Sequence, residues 1–472
     1  MLSSGQGMQM TAGCQLLLRP RGFTAAGILR PAMSLAPIEI LHVLAAVSAL
    51  LLAAHLGGLL AANAGIPPMV GELAGGVLLG ATVFRRVWPR GHAWLMPAAP
   101  EPGSSVLPIL SFCSTVGLLM LLFVGGRELR RLLTRRDLRA VGWTSVLGVL
   151  VPVAAGLALL QVVDVSRYLG SANHLTALKI VLLIALAVTS IPIITRIFLD
   201  LGLLSTRLAR IVLSVAVIED VLLYIALSIA LGMAQAEATS DASIPHLLGL
   251  APDSLAFMLW HVVASLGLLA VAAWGFGKAG KAGQASSRVN LIAQRSPLGW
   301  TLVSILLTTA AAMLLGLAPM FGALVAGIAA SSTTQPELVK AQQQVEAVGS
   351  SFFIPLYFAL IGVSLDLVRD FDWRLSGGLL VAGSIVKYGG ALLGAHAAGE
   401  RPVMANAIAI SVNARGGPGL VVASTAFAAG IVNAAAYTSL VILAVTTSVV
   451  AGIVLSQVLR RGPAAATVLR DG

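Results

Sequence analysis

Charged residues are scarce in this sequence. Asp, Glu, Lys and Arg make up 10% of the 472 residues, whereas hydrophobic residues make up 58%. A soluble domain carries about 25% charged residues and needs them to cover its surface. The composition therefore excludes an ordinary soluble protein and indicates an integral membrane protein.

Cysteine is also rare, since the chain has only Cys14 and Cys113. Two cysteines so far apart provide neither a disulfide framework nor the spacing of a metal site. No phosphate-binding loop, metal-ligand cluster, or nucleophile beside a general base stands out in the sequence. We therefore expect neither an enzyme nor a bound cofactor.

The basic residues exceed the acidic ones and give a net charge of +11. They lie in short loops between apolar runs, which is the pattern of a membrane topology signal and not of a nucleic-acid surface. Thirteen of them fall in the loops 127–139 and 278–295 and in the C-terminal tail. This bias predicts a multi-pass protein of the plasma (inner) membrane with a cytoplasmic C-terminus.

Continuous apolar runs predict helices, because a membrane barrel would show short alternating segments instead. With an odd number of helices, the N-terminus lies outside. The predicted fold class is an all-α polytopic membrane protein with about 13 transmembrane helices. The segments are 38–63, 67–84, 106–126, 139–163, 175–199, 207–234, 253–277, 298–317, 319–334, 349–366, 374–398, 403–429 and 436–459.

The two ends of the chain lie outside this apolar region. Residues 1–37 contain "CQLLL", which is too short for the apolar part of a signal peptide, and we expect a disordered extension. Residues 461–472 are expected to form a short cytoplasmic tail. The membrane domain is therefore predicted to span 38–460.

A repeated motif predicts internal symmetry. "PPMVGELAGGVLLGA" (67–81) and "APMFGALVAGIAASS" (318–332) share the pattern P-M-x-G-x-L-x-x-G. The two copies open the second and the ninth segment, so they enter the membrane from opposite sides. This arrangement predicts inverted six-helix repeats around a linker helix, as in many secondary transporters. Chance similarity between glycine-rich runs is the alternative.

Two segments carry helix-breaking residues at mid-membrane depth. The fifth contains "TSIP", with Thr189, Ser190 and Pro192, and the twelfth contains "NARGGPG" around Arg415. Irregular backbone at this depth is tolerated where it lines protein or a watery cavity. Matching breaks in both halves indicate two discontinuous helices at an ion site; simple proline kinks are the alternative.

We take five charged side chains of the apolar segments as the intramembrane charges: Glu72, Glu219, Asp220, Lys387 and Arg415. Each costs about 2.5–3.5 kcal/mol at a helix centre on insertion scales and so needs a partner or a function. Adjacent helical residues point about 100° apart, so Glu219 and Asp220 cannot face the same cavity. We predict that Asp220 binds the ion and that Glu219 pairs with Lys387, either as a switch or as a fixed buried ion pair.

The ordered motifs resemble the monovalent cation:proton antiporter-2 family over roughly residues 38–459. The resemblance implies that the chain is a sodium/proton or potassium/proton antiporter with 13 helices and forms a homodimer. It also implies a dimerisation domain and a core domain that moves like an elevator. In that core, two broken helices cross beside the acid pair. The motifs are "GIPPMVGELAGGVLLG", "LLMLLFVGGREL", "TSIPIITRIFLDLGLLSTRLARIVLSVAVIEDVLLYI", "FGALVAGIA", "FFIPLYFALIGVSLDL", "IVKYGGALLG" and "NARGGPGLVVASTAFAAGIV".

The resemblance also implies roles for single residues. Asp220 matches the essential ion-binding aspartate, and Lys387 matches the lysine that pairs with the first acid in electrogenic members. Glu219 departs from the pattern, because electrogenic members have aspartate there and potassium-efflux relatives have glutamine. Other matches are Thr189 and Ser190 at the first helix break, Arg415 near the second as a further charge partner, and Glu72, which is either structural or near the ion pathway.

The favoured function is therefore a secondary antiporter that exchanges protons for a monovalent cation, with sodium ahead of potassium. The glutamate with its lysine favours an electrogenic exchange. Two alternatives stay open: a channel-like potassium efflux protein, and a membrane subunit or sensor that does not transport. Apart from the cation, the proton and the lipid bilayer, the expected partner is a second copy of the chain.

Overall fold

The computed structural model describes residues 37–96, 106–129, 137–235, 243–281, 291–333 and 335–461. The extension before residue 37 and the tail after residue 461 lie outside this part, so the predictions for them stay predictions. In the described residues the regular structure is helical, apart from one isolated bridge between Leu169 and Val432. The predicted all-α fold class is confirmed.

Most helices begin and end within a few residues of the predicted segments. Short single turns lie between them, and Gly349–Phe353 forms a π-helix. The α-helices are α1 (Pro37–Asn63), α2 (Pro68–Leu79), α3 (Phe84–Val87), α4 (Pro89–Leu95), α5 (Val106–Leu129), α6 (Leu138–Val162), α7 (Leu175–Ala187), α8 (Ile191–Asp200), α9 (Arg207–Gln235), α10 (Ile244–Leu247), α11 (Leu255–Lys281), α12 (Leu291–Arg295), α13 (Pro297–Leu314), α14 (Pro319–Ala330), α15 (Pro336–Val348), α16 (Ile354–Val363), α17 (Trp373–Ala397), α18 (Pro402–Ser411), α19 (Gly416–Ala428) and α20 (Ala434–Arg461).

Within the described ranges, nine helical stretches are long and apolar enough to cross a membrane. The chain is thus a multi-pass membrane protein. The four remaining predicted segments correspond to the short helices α2 and α14 and to the interrupted pairs α7/α8 and α18/α19. The count of 13 crossings depends on these four and stays a prediction.

The tenth segment begins earlier than predicted. Apolarity placed its start at residue 349, but the helix runs from Pro336, through the π-helix, to Val363. The added part, α15, is rich in Glu, Lys and Gln and buries only Ala341, Gln342 and Val345. Such an amphipathic helix escapes a search for continuous apolar runs.

The helices pack into two groups. We call α6–α9 and α17–α20 the acid-pair bundle, because α6 packs against α17 and α7, and α9 packs against α7. We call α1, α2, α5, α11 and α13–α16 the outer bundle, in which α2 lies against α1 and α16, and α5 against α14. The helix α9 contacts α11 and α14 and so joins the two bundles.

The shared glycines of the repeated motif have a packing reason in both copies. A Cβ at Gly71 would collide with the Gly57 carbonyl of α1, and one at Gly76 with the Ala359 carbonyl of α16. In the second copy, Gly322 meets α13 and Gly327 meets the Phe123 carbonyl of α5. Small residues allow this close approach of membrane helices. The motif therefore places two helix contacts in each copy, and the inverted orientation stays a prediction.

Candidate functional site

The two predicted helix breaks lie side by side. The first separates α7 from α8 at residues 188–190, and the second separates α18 from α19 at residues 412–415. The Ser190 N–H donates to the Ala414 carbonyl at 2.7 Å, and the Thr189 hydroxyl lies 2.8 Å from the Val412 carbonyl. Both breaks leave backbone groups outside helical bonding, so these contacts satisfy some of them.

Local sequence explains why the helices stop here. Pro192 lies in the first turn of α8, where its missing N–H costs no helical bond. Gly416 begins α19 with a φ of 27°, and a Cβ at Gly416 would collide with Ile193. A residue with a side chain would therefore be strained at Gly416 and would also push against α8.

Two buried cations lie against the C-terminal end of α7. Arg415 donates from Nε to the Ala185 carbonyl at 2.9 Å and from Nη2 to the Leu186 carbonyl at 3.1 Å. Lys387 donates to the Ala187 carbonyl at 2.6 Å. The last carbonyls of a helix carry partial negative charge, so two cations there stabilise the interrupted end.

Asp220 lies on α9 at the junction of the two bundles. It lines a cavity of about 30 Å³ with Ile191 of α8 and Gly417 of α19 on one side, and with Leu122 and Leu324 of the outer bundle on the other. A cavity of this size has room for at least one water-sized particle. The N-terminal ends of α8 and α19 carry positive partial charge and so favour an anionic carboxylate beside them.

Two polar atoms, one on α9 and one at the first helix break, lack a hydrogen-bond partner in the described residues. They are Oδ1 of Asp220 and Oγ of Ser190. Both side chains are buried, with 5% and 0% of their surface exposed. Buried polar groups without a hydrogen bond are uncommon and costly in free energy. A bound cation, proton or water molecule would remove this cost at either atom.

Glu219 points to a different place. Its Oε1 accepts from Nζ of Lys387 at 2.7 Å, and Oε2 lies 2.5 Å from the Thr189 hydroxyl. It lines a second cavity of about 200 Å³ between α6, α7 and α9, whose other lining is apolar. The two adjacent acids thus face separate cavities, as their positions on one helix require.

Lys387 has all its donors engaged. A charged ammonium has three N–H groups. They point to Glu219 Oε1, to the Ala187 carbonyl, and to the Gly148 carbonyl at 3.1 Å. The side chain is completely buried. This full set of acceptors fits a lysine that is charged inside the bundle.

Arg415 does not contact a carboxylate in the part of the chain that the structure describes. Besides the end of α7, its guanidinium donates to the Gly383 carbonyl at 2.6 Å and to Asn413 Oδ1 at 2.8 Å. The sequence suggested a charge partner of the acids. The structure places the guanidinium among backbone carbonyls of α7 and α17 instead, so its charge reaches the acids only over a distance.

Glu72 lies outside this cluster. It is on α2 in the outer bundle, where its side chain packs against Gly58 of α1, with a Cβ at that glycine 3.2 Å from Glu72 Cγ. The structure therefore does not bring Glu72 to the acid pair. Its role in an ion pathway stays a prediction.

Sequence reasoning missed some residues of the site. Tyr224 lines the same cavity as Asp220 and lies four residues later on α9, a spacing that places it on the same face. Gly148 accepts a hydrogen bond from Lys387. Little in the sequence singles out Gly148, since glycines occur in apolar helices for many reasons unrelated to a functional site. Among the described residues, no group of three or more His, Cys, Asp or Glu side chains could hold a metal ion.

Comparisons with known proteins find chains that are similar to this one. The family model described as "Sodium/hydrogen exchanger, transmembrane" matches residues 48–461. The Na(+)/H(+) antiporter NhaS4 of Synechocystis is 25% identical over 416 residues, covering 87% of this chain and 95% of that protein. Cation/H(+) antiporter 20 of Arabidopsis thaliana is 27% identical over 335 residues, covering 68% of this chain but only 37% of its own length.

A solved structure is similar over nearly the whole chain. The sodium proton antiporter MjNhaP1 from Methanocaldococcus jannaschii, at pH 8, aligns with a TM-score of 0.59. The alignment covers 91% of this chain and 99% of that chain, at 14% sequence identity. At this identity, the likeness shows that the two chains share a fold.

Proposed function

The chain belongs to the transmembrane sodium/hydrogen exchanger family, a family of antiporters and not of enzymes, and from this premise we propose that it exchanges protons for a monovalent cation. We put sodium first and potassium second. Similar proteins include some named as Na(+)/H(+) antiporters and one named as a K(+)/H(+) antiporter. The exchange takes place across the plasma (inner) membrane. The basic loops favour an external N-terminus and a cytoplasmic C-terminus.

The observation that carries the proposal is the unpaired carboxylate oxygen of Asp220 in its small cavity. Carboxylate and hydroxyl oxygens are the ligands that hard cations prefer, and Ser190, one residue before Ile191 of the cavity wall, has an unpaired hydroxyl. A proton satisfies the same oxygen equally well. Because one group can hold either particle but not both, binding of the cation and binding of the proton exclude each other.

The position of this cavity supports alternating access. Both acids, both cations and both helix breaks belong to the acid-pair bundle, whereas the opposite wall of the cavity belongs to the outer bundle. Movement of the acid-pair bundle as a unit would carry Asp220 from one side of the membrane to the other. Residues 38–460 would then consist of a moving core, the acid-pair bundle, and a fixed dimerisation subdomain, the outer bundle.

A homodimer is part of this proposal. The helix α1 lies at the edge of the outer bundle and exposes large apolar side chains, including Leu44, Leu52 and Leu59, each with about 60% of its surface exposed. Such a face suits lipid or a second copy of the chain. A fixed dimer would give the core a frame against which to move.

We also propose an electrogenic exchange. A cation at Asp220 repels the neighbouring ammonium of Lys387, which shares the carboxylate of Glu219. If this repulsion releases the proton of the ion pair, each cation that enters displaces two protons and the cycle moves net charge. Thr189, which contacts Glu219, would hold the pair beside the first helix break.

The test is transport by the purified protein in liposomes that contain a pH-sensitive dye. Addition of sodium or potassium should change the pH inside the liposomes. Because the proposed exchange moves net charge, the rate of this change should vary with the membrane potential that is imposed. Asp220→Asn should abolish it, whereas Glu337→Gln, which alters an exposed acid on α15, should leave it unchanged. Cation flux that ignores the proton gradient would favour a channel, and equal signals from wild type and Asp220→Asn would contradict the proposal.

A further inference from the structure

A glycine of α6 lies directly behind the Glu219–Lys387 ion pair. Gly148 is buried in the middle of α6, and its carbonyl accepts from Nζ of Lys387 at 3.1 Å. A Cβ on Gly148 would lie 2.9 Å from Oε1 of Glu219 and 3.9 Å from Nζ of Lys387. The space that a side chain would fill is therefore occupied by the carboxylate itself.

The carboxylate has little freedom to move out of the way. A glutamate is flexible, so a Cβ could push it aside if its oxygens were free. Here Oε1 is held by Lys387 at 2.7 Å and Oε2 by the Thr189 hydroxyl. Any shift that relieves the contact at Gly148 must therefore weaken one of these two bonds.

The helix α6 also has little room to withdraw. Two glycines of α17 lie close against it at and before this level: a Cβ at Gly390 would lie 2.6 Å from the Leu147 carbonyl, and one at Gly394 would lie 2.5 Å from the Trp143 carbonyl. Backbone contacts this close couple α6 to the helix that carries Lys387. Tightly packed interiors respond to an added methyl group by displacing side chains.

We propose that Gly148 is a positioning residue for the ion pair, and that glycine at this position is what accommodates a glutamate at position 219. The residue holds Lys387 through its carbonyl and leaves space for the longer acid through its missing side chain. An aspartate at position 219 is one methylene shorter, so its carboxylate would withdraw from α6. The two positions are thus coupled: glycine suits glutamate, and alanine suits aspartate. This inference rests on the proposed antiport function.

The test is a double-mutant cycle on cation-dependent proton flux in liposomes. Gly148→Ala should lower the rate roughly 5-fold or more, the factor that corresponds to the lower end of the usual overpacking cost, and should shift the pH at which the rate is half-maximal. Glu219→Asp alone should also lower the rate, because its carboxylate is too short for Lys387. The double variant Gly148→Ala/Glu219→Asp should be faster than the product of the two single effects predicts and no slower than Glu219→Asp alone, because the shorter acid leaves room for the added methyl group.

The matched control is Gly142→Ala on the same helix, where a Cβ would meet no atom within 4 Å. This variant should keep the rate and the pH profile of the wild type. Alanine favours a helix more than glycine does, so neither substitution should weaken α6 by itself. If Gly148→Ala nevertheless fails to fold, the yield and melting temperature of the double variant give the same comparison.

Additive effects of Gly148→Ala and Glu219→Asp, in flux and in melting temperature, would overturn the inference. So would a Gly148→Ala variant that behaves like Gly142→Ala. A wild-type protein without cation-dependent flux would instead contradict the proposed function. In that case, the melting temperatures of the four proteins still decide whether the two positions are coupled.

Discussion

The buried ammonium of Lys387 lies 2.7 Å from the carboxylate of Glu219. The two residues are on α17 and α9, and their side chains are 0% and 2% exposed. A buried ion pair adds little net free energy of folding, because the loss of hydration offsets the attraction between the charges. Removal of one partner is costly, because it leaves the other charge buried and unpaired. Single and double mutations can therefore distinguish the contribution of the charges to stability from the contribution of packing.

Lys387→Ala is expected to destabilise the fold by about 3–5 kcal/mol, because it leaves Glu219 as a buried charge without a cation. The double variant Lys387→Met/Glu219→Gln should recover most of this loss, since it removes both charges and keeps the volume. Thermal unfolding in detergent measures both. Arg86→Gln, which breaks an exposed ion pair with Asp366, should cost less than about 1 kcal/mol. Equal losses from Lys387→Ala and Arg86→Gln would contradict this account.

The Thr189 hydroxyl is shared between two acceptors, Glu219 Oε2 and the Val412 carbonyl. A hydroxyl has one proton to donate. When the Thr189 hydroxyl donates to the Val412 carbonyl, it can bond to Glu219 only by accepting a hydrogen bond from a protonated Glu219. Thr189→Val removes the hydroxyl with little change in shape and should reduce exchange by about 10-fold or more, because a buried acceptor then loses its partner. Thr189→Ser should retain most of the rate. The flux assay decides, and a fully active Thr189→Val would make the hydroxyl dispensable.

Arg415 should be irreplaceable by lysine. Its guanidinium satisfies carbonyls on two elements, among them Ala185 and Gly383, and a single ammonium cannot reach both sets. Arg415→Lys should therefore cost about 1–3 kcal/mol for each carbonyl left without a donor. A matched substitution of an exposed arginine, Arg369→Lys, should leave the melting temperature unchanged. A stable Arg415→Lys would show that water replaces the lost donors.

Much of the fold follows from hydropathy and from the positions of Gly and Pro. Continuous apolar runs marked the helices to within a few residues, and the density of breakers in "TSIP" and "NARGGPG" marked both interruptions. The divergence of Glu219 and Asp220 follows from the 100° step of a helix. These features are local, so a single sequence contains them.

Contacts between helices are not local, and the sequence could not determine them. It predicted that Arg415 is a charge partner, but the choice between a carboxylate and a helix end depends on where α7 stops relative to α19. Gly148 became visible only once α6, α9 and α17 were placed around one carboxylate. The polar helix α15 was missed because its helical signal is amphipathic and contains no continuous apolar run.

Asp372 caps the N-terminus of α17, the helix that carries Lys387. Its Oδ1 accepts from the backbone N–H groups of Arg374 and Leu375, and Oδ2 accepts from the Tyr168 hydroxyl. Burial alone would raise the pKa of this carboxyl, but these hydrogen bonds lower it below its usual value of 3.8. A lowered pKa means that the stabilisation is present above that value and is lost as the pH falls through the folded-state pKa.

Asp372→Ala should therefore destabilise the protein by about 1 kcal/mol at neutral pH, as the loss of an N-cap does. The difference from wild type should shrink in solutions below about pH 4, where the wild-type carboxyl becomes protonated. Asp372→Asn keeps a capping oxygen and serves as the control, with most of the stability but without the pH dependence. Melting temperatures across this pH range measure the effect, and a constant difference would refute it.

The two bundles are joined by hydrogen bonds that movement of the acid-pair bundle would have to break. The Tyr437 hydroxyl of α20 donates to the Ile361 carbonyl of α16 at 3.0 Å, and is buried. Tyr437→Phe removes this bond, worth about 0.5–1.5 kcal/mol. If the acid-pair bundle moves as proposed, the variant should shift the population about 2- to 12-fold away from the position that this structure shows. Spin labels on both bundles measure that population. Tyr388→Phe breaks a bond that stays within the acid-pair bundle, to Asn406, and should leave the population unchanged. If the two variants shift it equally, the bundles do not separate at Tyr437.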